Sequence, residues 1–450
     1  MSQTSLYHPT IHSTETTAPS FWEETAGDLR PVRPGLKTDE TCDVAIIGGG
    51  FTGLSAAYHL ARDHDIDVRV LEAGPIAWGA SGRNGGMCLI GATKLSLGEM
   101  VKRYGESATR EFLADQRAGV ELVERLCVEE EIDCERCGEG NFTVAHAPGA
   151  YAGLAAEAEA LNGRFGVPAR MYDREAFASI GHGGTEQFGA LWTGVGFGLH
   201  PLKFALGLAV AAERRGASLY ENSQVIDWSQ EGDYQVLRTT GGRLRARRVI
   251  LATNGYYRDG LFPDFDYRTL PALSNIITTR PLTDDELAQT GFRTHTPLSN
   301  ARTLLFYYRL LPDCRLLFGA RGDFTGSPRD GERMRAWMER RLGEVFPPCR
   351  GIDISHFWRG LVCITQRRTP AVGRLDEEGR VWFGFGYHGC GVNTAPLTGR
   401  RLARLVAGAE KVPADVPTVM RGLPPRFPLP ALRTWALRVA YAWYGLKDRL

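Results

Sequence analysis

The sequence predicts an α/β fold, α+β overall, in which a parallel-sheet domain is interrupted by an antiparallel-sheet domain. Three observations carry this expectation. Cys42 to Leu60, CDVAIIGGGFTGLSAAYHL, runs from a short apolar strand through glycines into a helix. Val68 to Leu71 forms a second strand that ends in an acid, Glu72. Much later, after two long excursions, the chain returns to another glycine-rich strand-to-helix junction, GFGYHGCGVNTAPLTGR.

The first junction carries Gly48, Gly50 and Gly53 in G-x-G-x-x-G spacing. The first glycine permits the tight turn, the second lets the backbone approach a pyrophosphate, and the third lets helix and strand pack closely. The helix N-terminus then faces an anion. Glu72 stands about 20 residues further on, where a carboxylate accepts hydrogen bonds from an adenosine ribose. Strand, turn, helix, strand and acid agree on a dinucleotide.

Composition sets the outer limits. A chain of 450 residues with 43% hydrophobic content is long enough for two or three ordinary globular domains. Lys and Arg total 53 against 52 Asp and Glu, so a general nucleic-acid footprint is not expected. The opening MSQTSLYHPT has no basic start leading into an apolar core, so no secretory signal is expected, nor is any integral membrane segment. Nine cysteines without a framework fit reduced thiols in a cytoplasmic protein. Cys134 and Cys137 form one C-x-x-C, read as two free thiols near a turn because no second pair follows at zinc spacing.

Taken in order, residues 1–40 contain four prolines and read as an arm laid over the body, anchored by Phe21 and Trp22. Residues 41–95 open the nucleotide domain, and their glycine-rich end, from Gly74 to Gly91, suits backbone lying against something flat. Residues 96–195 are the first excursion, with helices over 95–131 and 150–163 and a third starting at Asp173. Residues 196–262 return, with a helix from Pro201 to Arg215 and a hairpin at Gly241 and Gly242. Residues 263–354 leave again through NIITTRPL, TLLFYYRLL and CRLLFGAR, three antiparallel strands, and a charged helix from Asp330 to Phe346. Residues 355–410 are expected to complete the nucleotide domain. Residues 411–450 form an amphipathic helical tail with Leu432, Trp435, Val439 and Trp443 on one face and Arg433, Arg438, Lys447 and Arg449 elsewhere. That apolar face is expected to dock onto the protein's own body, with membrane-surface contact as the alternative.

GGGFTGLSAA, SGRNGG at Ser81 to Gly86, VILATNGY, FWRGLVCITQRRTPAVG and GYHGCGVN together resemble the D-amino-acid-oxidase-like superfamily of FAD-dependent oxidoreductases. Within it, the branch of gamma-glutamylputrescine oxidase and sarcosine-oxidase-like amine oxidases is the most similar. The resemblance covers nearly the whole chain and implies a Rossmann-like FAD-binding domain with an interleaved antiparallel-sheet substrate domain. It implies that Gly48, Gly50 and Gly53, with Phe51 and Thr52, hold the FAD pyrophosphate, and that Glu72 and Ala73 meet the AMP ribose. Ser81, Gly82, Arg83, Asn84 and Gly85 would hold the linker and flavin, and Val225 the adenine through its backbone. Ala252 and Gly360 would add cofactor contacts, and Gly386, Gly389, Gly391, Val392 and Asn393 would lie against the isoalloxazine ring. Sarcosine oxidases bond their flavin to a cysteine; Cys363 lies before Thr369 and Pro370, but the intervening sequence differs, and non-covalent FAD is expected. His388 and Cys390 replace the serine and histidine of the late G-[FY]-S-G-H-G motif.

The resulting functional expectation is oxidation of the C–N bond of a primary or secondary amine, a polyamine derivative or an N-substituted amino acid, with O2 or another acceptor reoxidising the cofactor. His388, Tyr307 and Trp358 are the expected catalytic-site side chains, with Tyr308 as a further wall. His388 would add an ionisation near neutrality. Arg309 or Arg321 would clamp a carboxylate on the substrate. A flavin dehydrogenase acting on a hydroxy acid, or a flavoprotein without turnover, are the alternatives.

Overall fold

A computed structural model describes residues 6–408, 416–429 and 432–447. Two large sheets organise them. The first runs in the spatial order Ala371–Arg374, Val381–Phe385, Arg243–Leu251, Glu40–Ile47, Val68–Leu71, Ser218–Tyr220. From Val381–Phe385 across to Ser218–Tyr220 all neighbours are parallel. Their inner halves are apolar and buried on both faces, with Val44, Ala45, Ile46, Val249 and Ile250 fully buried, while the first half of Arg243–Leu251 alternates exposed arginines with buried Leu244 and Ala246. The predicted hairpin, Tyr234–Arg238 with Arg243–Leu251, turns at Gly241 and Gly242 as expected, and Tyr234–Arg238 pairs antiparallel with the first residues of that central strand as a branch off the main strand order.

The second sheet runs Ile354–Ile364, Leu270–Pro281, Arg315–Arg321, Tyr307–Leu310, Leu298–Asn300, Asn141–Val144, Ala190–Thr193, Ala169–Tyr172. All its pairs are antiparallel except Leu298–Asn300 with Asn141–Val144. The segment from 355 was expected with the nucleotide domain, yet Ile354–Ile364 pairs along Leu270–Pro281 and belongs to the second sheet. An isolated apolar strand has no mark of which sheet it joins, because both offer unpaired edge groups.

Helices fall close to their predicted places: Leu97–Glu129, Pro148–Phe165, Arg174–Ile180, Pro201–Arg214 and Pro328–Val345. Gly105 interrupts the first of these at φ 84°. The helices Phe51–His64 and Gly391–Val406, one from each glycine junction, pack against each other. Thr52 Oγ1 lies 2.7 Å from the Tyr387 hydroxyl, and Ser55 Oγ donates to the Pro396 carbonyl at 2.7 Å. Arg401 pairs with Asp115, a buried ion pair that ties Gly391–Val406 to Leu97–Glu129.

The N-terminal arm is held where expected. Trp22 is fully buried and its indole donates to the Asn84 carbonyl at 2.8 Å, with Phe21 beside it. The terminal helix Arg433–Lys447 departs from expectation. Leu437 and Tyr441 pack on the body against Leu270 and Ala272, whereas Leu432, Trp435, Val439 and Trp443 are all at least half exposed. The apolar residues therefore divide between two faces of the helix. Arg449 lies outside the described residues, as do residues 1–5.

Candidate active site

Both glycine junctions and the face of the second sheet border one cavity of about 1310 Å³. Ordinary small-molecule pockets hold about 300–1,000 Å³, so the space suits a dinucleotide with room beside it.

The dinucleotide end is made mostly of backbone. Gly48 takes φ 109°, and a side chain there would meet the Ala252 carbonyl at 2.9 Å. A Cβ on Gly53 would sit 1.9 Å from the Gly48 oxygen, which is the close strand–helix packing its place in the motif requires. Gly50 is the N-cap of Phe51–His64 and supplies no side-chain cap, and Cys390 likewise leaves Gly391–Val406 uncapped. Ser81 Oγ accepts from the Phe51 amide at 2.9 Å, and the remaining first-turn amides of the two helices keep a positive dipole end for an anion. Glu72 accepts from the Gly49 amide at 2.6 Å and the Gly74 amide at 3.3 Å. Burial raises its pKa, while those amides and that of Ala73 oppose the shift. The carboxylate thus props the turn as well as facing the cavity.

Of the expected cofactor residues, Gly48, Gly50, Phe51, Thr52, Glu72, Ala73, Ser81, Arg83, Asn84, Gly85, Val225, Ala252, Gly360, Gly389, Gly391 and Val392 line the cavity. Gly53, Gly82, Gly386 and Asn393 do not. Gly53 is spent on packing. Gly82 is pressed under the Ala77 carbonyl, where a Cβ would come within 2.5 Å. Gly386 donates its amide to Asn254 Oδ1 at 2.9 Å, and the fully buried Asn393 donates to the Gln116 carbonyl at 3.1 Å.

The other end is made of side chains on the second sheet. Register places Ser299, Tyr307 and Gly319 in one row across three strands, and Arg321, Ser274 and Gly360 in the next. Side chains two apart share a face, so Tyr307 and Arg321 point the same way. A Cβ on Gly319 would lie 2.1 Å from the Tyr307 ring, so this glycine leaves room for the ring to lie across the strand. The Tyr307 hydroxyl meets Ser274 Oγ at 2.8 Å, and burial raises its pKa. Arg321 Nη1 is buried and has no hydrogen-bond partner.

Lys94 joins this end from the close of the glycine-rich stretch. It is open to the cavity, yet surrounding protein desolvates its ammonium; with Arg321 as the second cause, its pKa falls to about 8. Neither cation forms an ion pair in the structure among the described residues. Lys94 escaped the sequence reading, as did Tyr256, Asn254 and the arm residues His12 and Thr14, all in the cavity wall. The only signal for Lys94 was its place just beyond Gly91.

Three expected substrate-site side chains lie elsewhere. Tyr308 is on the opposite face of its strand from Tyr307, packed with His182, Phe318 and Phe346. Trp358 is covered by Trp22 and donates its indole N–H to the Arg83 carbonyl at 2.9 Å. Arg309 donates to the Gly86 carbonyl and lies over Trp22, so it is closed off from the cavity. The arm and the Arg83–Gly86 loop occupy that part of the sheet. His388 does line the cavity, at φ 53°, with Nε2 3.2 Å from Thr365 Oγ1 and Nδ1 without a partner. Burial, then Lys94, lower its pKa to about 3, so the ionisation expected near neutrality is absent and the ring is neutral. The thiols of Cys134 and Cys137 are free, with Cys134 Sγ 3.4 Å from Cys127 Sγ. No helix among the described residues is long and apolar enough to cross a membrane.

The arrangement matches known proteins along its length. Gamma-glutamylputrescine oxidoreductase of Escherichia coli (strain K12) is 34% identical over 443 residues, covering 96% of this chain and 98% of that protein. Probable oxidoreductase OrdL of Rhizobium meliloti (strain 1021) is 33% identical over 95% of this chain and 97% of its own. Among solved structures, glycine oxidase from Geobacillus kaustophilus superposes with a TM-score of 0.68 at 24% identity, over 81% of this chain and 94% of its own. The family model described as FAD dependent oxidoreductase (DAO) matches residues 43–405. With its glycine turn, acid-tipped second strand and two helix N-termini all facing one dinucleotide-sized cavity, the chain belongs to the DAO family of FAD-dependent oxidoreductases.

Proposed function

We propose that this enzyme oxidises the C–N bond of a primary or secondary amine that also carries an anionic group, such as an N-substituted amino acid or an acidic polyamine derivative. The single observation that carries the anionic part is the pair Arg321 and Lys94, two cations without carboxylate partners beside Tyr307. Two positive charges repel each other in a desolvated site, and a carboxylate between them relieves that cost and completes the empty hydrogen-bond position on Arg321. Names of related proteins support the amine part, since gamma-glutamylputrescine oxidoreductase and glycine oxidase are both among them.

Bound FAD supplies the hydride acceptor, at flavin N5. The protein's share is to bind, orient and exclude water. On this reading the Gly50 and Thr52 amides meet the pyrophosphate beside Ser81, whose hydroxyl holds the Phe51 amide, Glu72 meets the ribose, Arg83 to Gly85 the linker, and the Gly389 to Val392 turn the flavin edge. Tyr307, held by Ser274, walls the reacting carbon, and the neutral His388 serves as a hydrogen-bonding wall. Only a neutral amine releases a hydride, so the ammonium form must lose its proton before reaction. FAD is held without a covalent bond: burial pushes the Cys363 thiol up to about 12, which leaves little thiolate to attack a flavin.

An anaerobic panel of amines with and without carboxylates, read as bleaching of the flavin absorbance and then reopened to air, tests this reading. Carboxylated amines should bleach fastest, and air should restore the colour. Bleaching by a hydroxy acid but by no amine would replace it with the dehydrogenase alternative. Flavin that stays with denatured protein would point to Cys363 as a covalent anchor.

A further inference from the structure

The terminal helix Arg433–Lys447 is fastened to the body on one side and apolar on the other. Leu437 and Tyr441 pack on Leu270 and Ala272. Arg433 pairs with Asp259 and donates to the Thr269 carbonyl at 2.8 Å, which fixes the start of the helix. The outward side carries Trp435 at 62% exposure and Trp443 at 65%, with Leu432 and Val439 between and before them. Leu429, 70% exposed, stands next to the start of the helix, its carbonyl accepting from the Leu432 amide at 2.8 Å. Water gains nothing from two exposed indoles eight residues apart, about 12 Å along a helix, unless something covers them.

Charge indicates what that is. From 421 to the C-terminus Arg421, Arg426, Arg433, Arg438, Lys447 and Arg449 stand against one acid, Asp448, and of these Arg433 is buried and neutralised by Asp259. The whole chain totals only +1, so the rest of it is net negative and this basic charge is concentrated on one segment. Arg438 is exposed beside the apolar stripe, with its guanidinium 5.9 Å from the Phe324 ring centroid, and Arg421 and Arg426 are exposed in the preceding segment. A helix with tryptophans and aliphatic residues on one side, exposed arginines on it and just before it, and a separate foothold on the protein is built to lie in the plane of a bilayer surface. Indoles settle at the headgroup level, and arginines meet anionic headgroups.

We propose that the outward face of Arg433–Lys447 is a peripheral docking surface for an anionic lipid bilayer, with Trp435 and Trp443 as the inserting side chains. The helix does not span the bilayer; it lies on it, and the buried face keeps it attached to the enzyme. Its foothold adjoins the cavity, because Arg433 and its partner Asp259 both belong to the cavity wall. Docking therefore sets the cavity close to the lipid surface. This inference does not depend on which amine is oxidised.

The test is flotation of the FAD-loaded full-length protein with vesicles of phosphatidylglycerol and phosphatidylcholine, and with phosphatidylcholine alone. The protein should float with the mixed vesicles, less so with the neutral ones, and less as salt is raised. Replacing both indoles, Trp435→Ser with Trp443→Ser, should lower vesicle binding about tenfold or more while flavin content and melting temperature stay as in the parent. Absence of any association with phosphatidylglycerol vesicles overturns the proposal. So does association that survives the double substitution. A concentration-dependent dimer in sedimentation that the double substitution dissolves, without vesicle binding, would assign the face to a second copy of the chain instead.

Discussion

The two ends of the cavity are built on different principles. At the dinucleotide end the cavity-facing groups are main-chain amides of the Gly48–Gly53 turn, supported by one carboxylate, Glu72. At the other end they are side chains, Tyr307, Ser274, Arg321 and Lys94, brought together from three strands and a loop. Backbone amides cannot be exchanged by substitution, so the first end is set by where glycines permit the chain to go. Side chains can be exchanged one at a time, so the second end is where chemistry is tuned without loss of the cofactor. If that contrast is sound, damage at the first end removes FAD, and damage at the second removes substrate selectivity while the protein remains yellow.

The largest effect is expected from Gly53→Val. Its side chain would collide with the Gly48 carbonyl, which a Cβ alone already meets at 1.9 Å. Overpacking of this kind costs about 1–3 kcal/mol, and relieving it means displacing the turn that faces the cofactor. Absorbance at the flavin band after gel filtration should show an apo protein; a fully loaded Gly53→Val would mean that the close packing at the turn is not needed to hold FAD.

Glu72→Ala should come next. A hydrogen bond to a charged group is worth about 1.5–3 kcal/mol, which corresponds to about a tenfold to hundredfold loss of FAD affinity by titration of the apo protein. Because Glu72 also receives the Gly49 and Gly74 amides, its loss should loosen the turn and speed FAD dissociation. Unchanged affinity would remove it from the site.

Arg321→Met probes the other end. Loss of a charged hydrogen bond to a substrate carboxylate should lower kcat/KM on carboxylated amines by about tenfold to a hundredfold, with full flavin content and a much smaller change for uncharged amines. An equal loss on both substrate classes would mean that Arg321 shapes the cavity and does not read charge.

The smallest effect is a pH signature. Lys94, with its pKa lowered to about 8, is protonated below that pH and neutral above it. Attraction for an anionic substrate is therefore present below about pH 8 and fades as pH rises through it. Deprotonation of the substrate amine works the other way, so kcat/KM on carboxylated amines should pass through a maximum. Lys94→Met should abolish the falling limb and leave the rising one. His388→Asn should leave the limbs in place, because burial holds His388 neutral down to about pH 3. A limb near neutrality that disappears with His388 would contradict that environment.

Sequence alone determined the dinucleotide end. Turn, helix start and acid lie within one short stretch, where local chain geometry dictates the result: Gly48 at positive φ, Gly53 against the turn and Glu72 at a strand end all follow from spacing. The same locality made the arm's Trp22 anchor, the Gly241–Gly242 hairpin and most helices legible. Tertiary structure decided the rest. Whether Tyr307 or Tyr308 faces the substrate is a matter of strand parity, which one residue of register reverses. Trp358 and Arg309 sit on the same sheet but lie under Trp22, a residue more than 250 positions away in the chain. Lys94 and Arg321 share a cavity only because a loop of the first domain folds over a strand of the second. Nothing in either neighbourhood records the other, since the repulsion that links them exists only once the chain has brought them together.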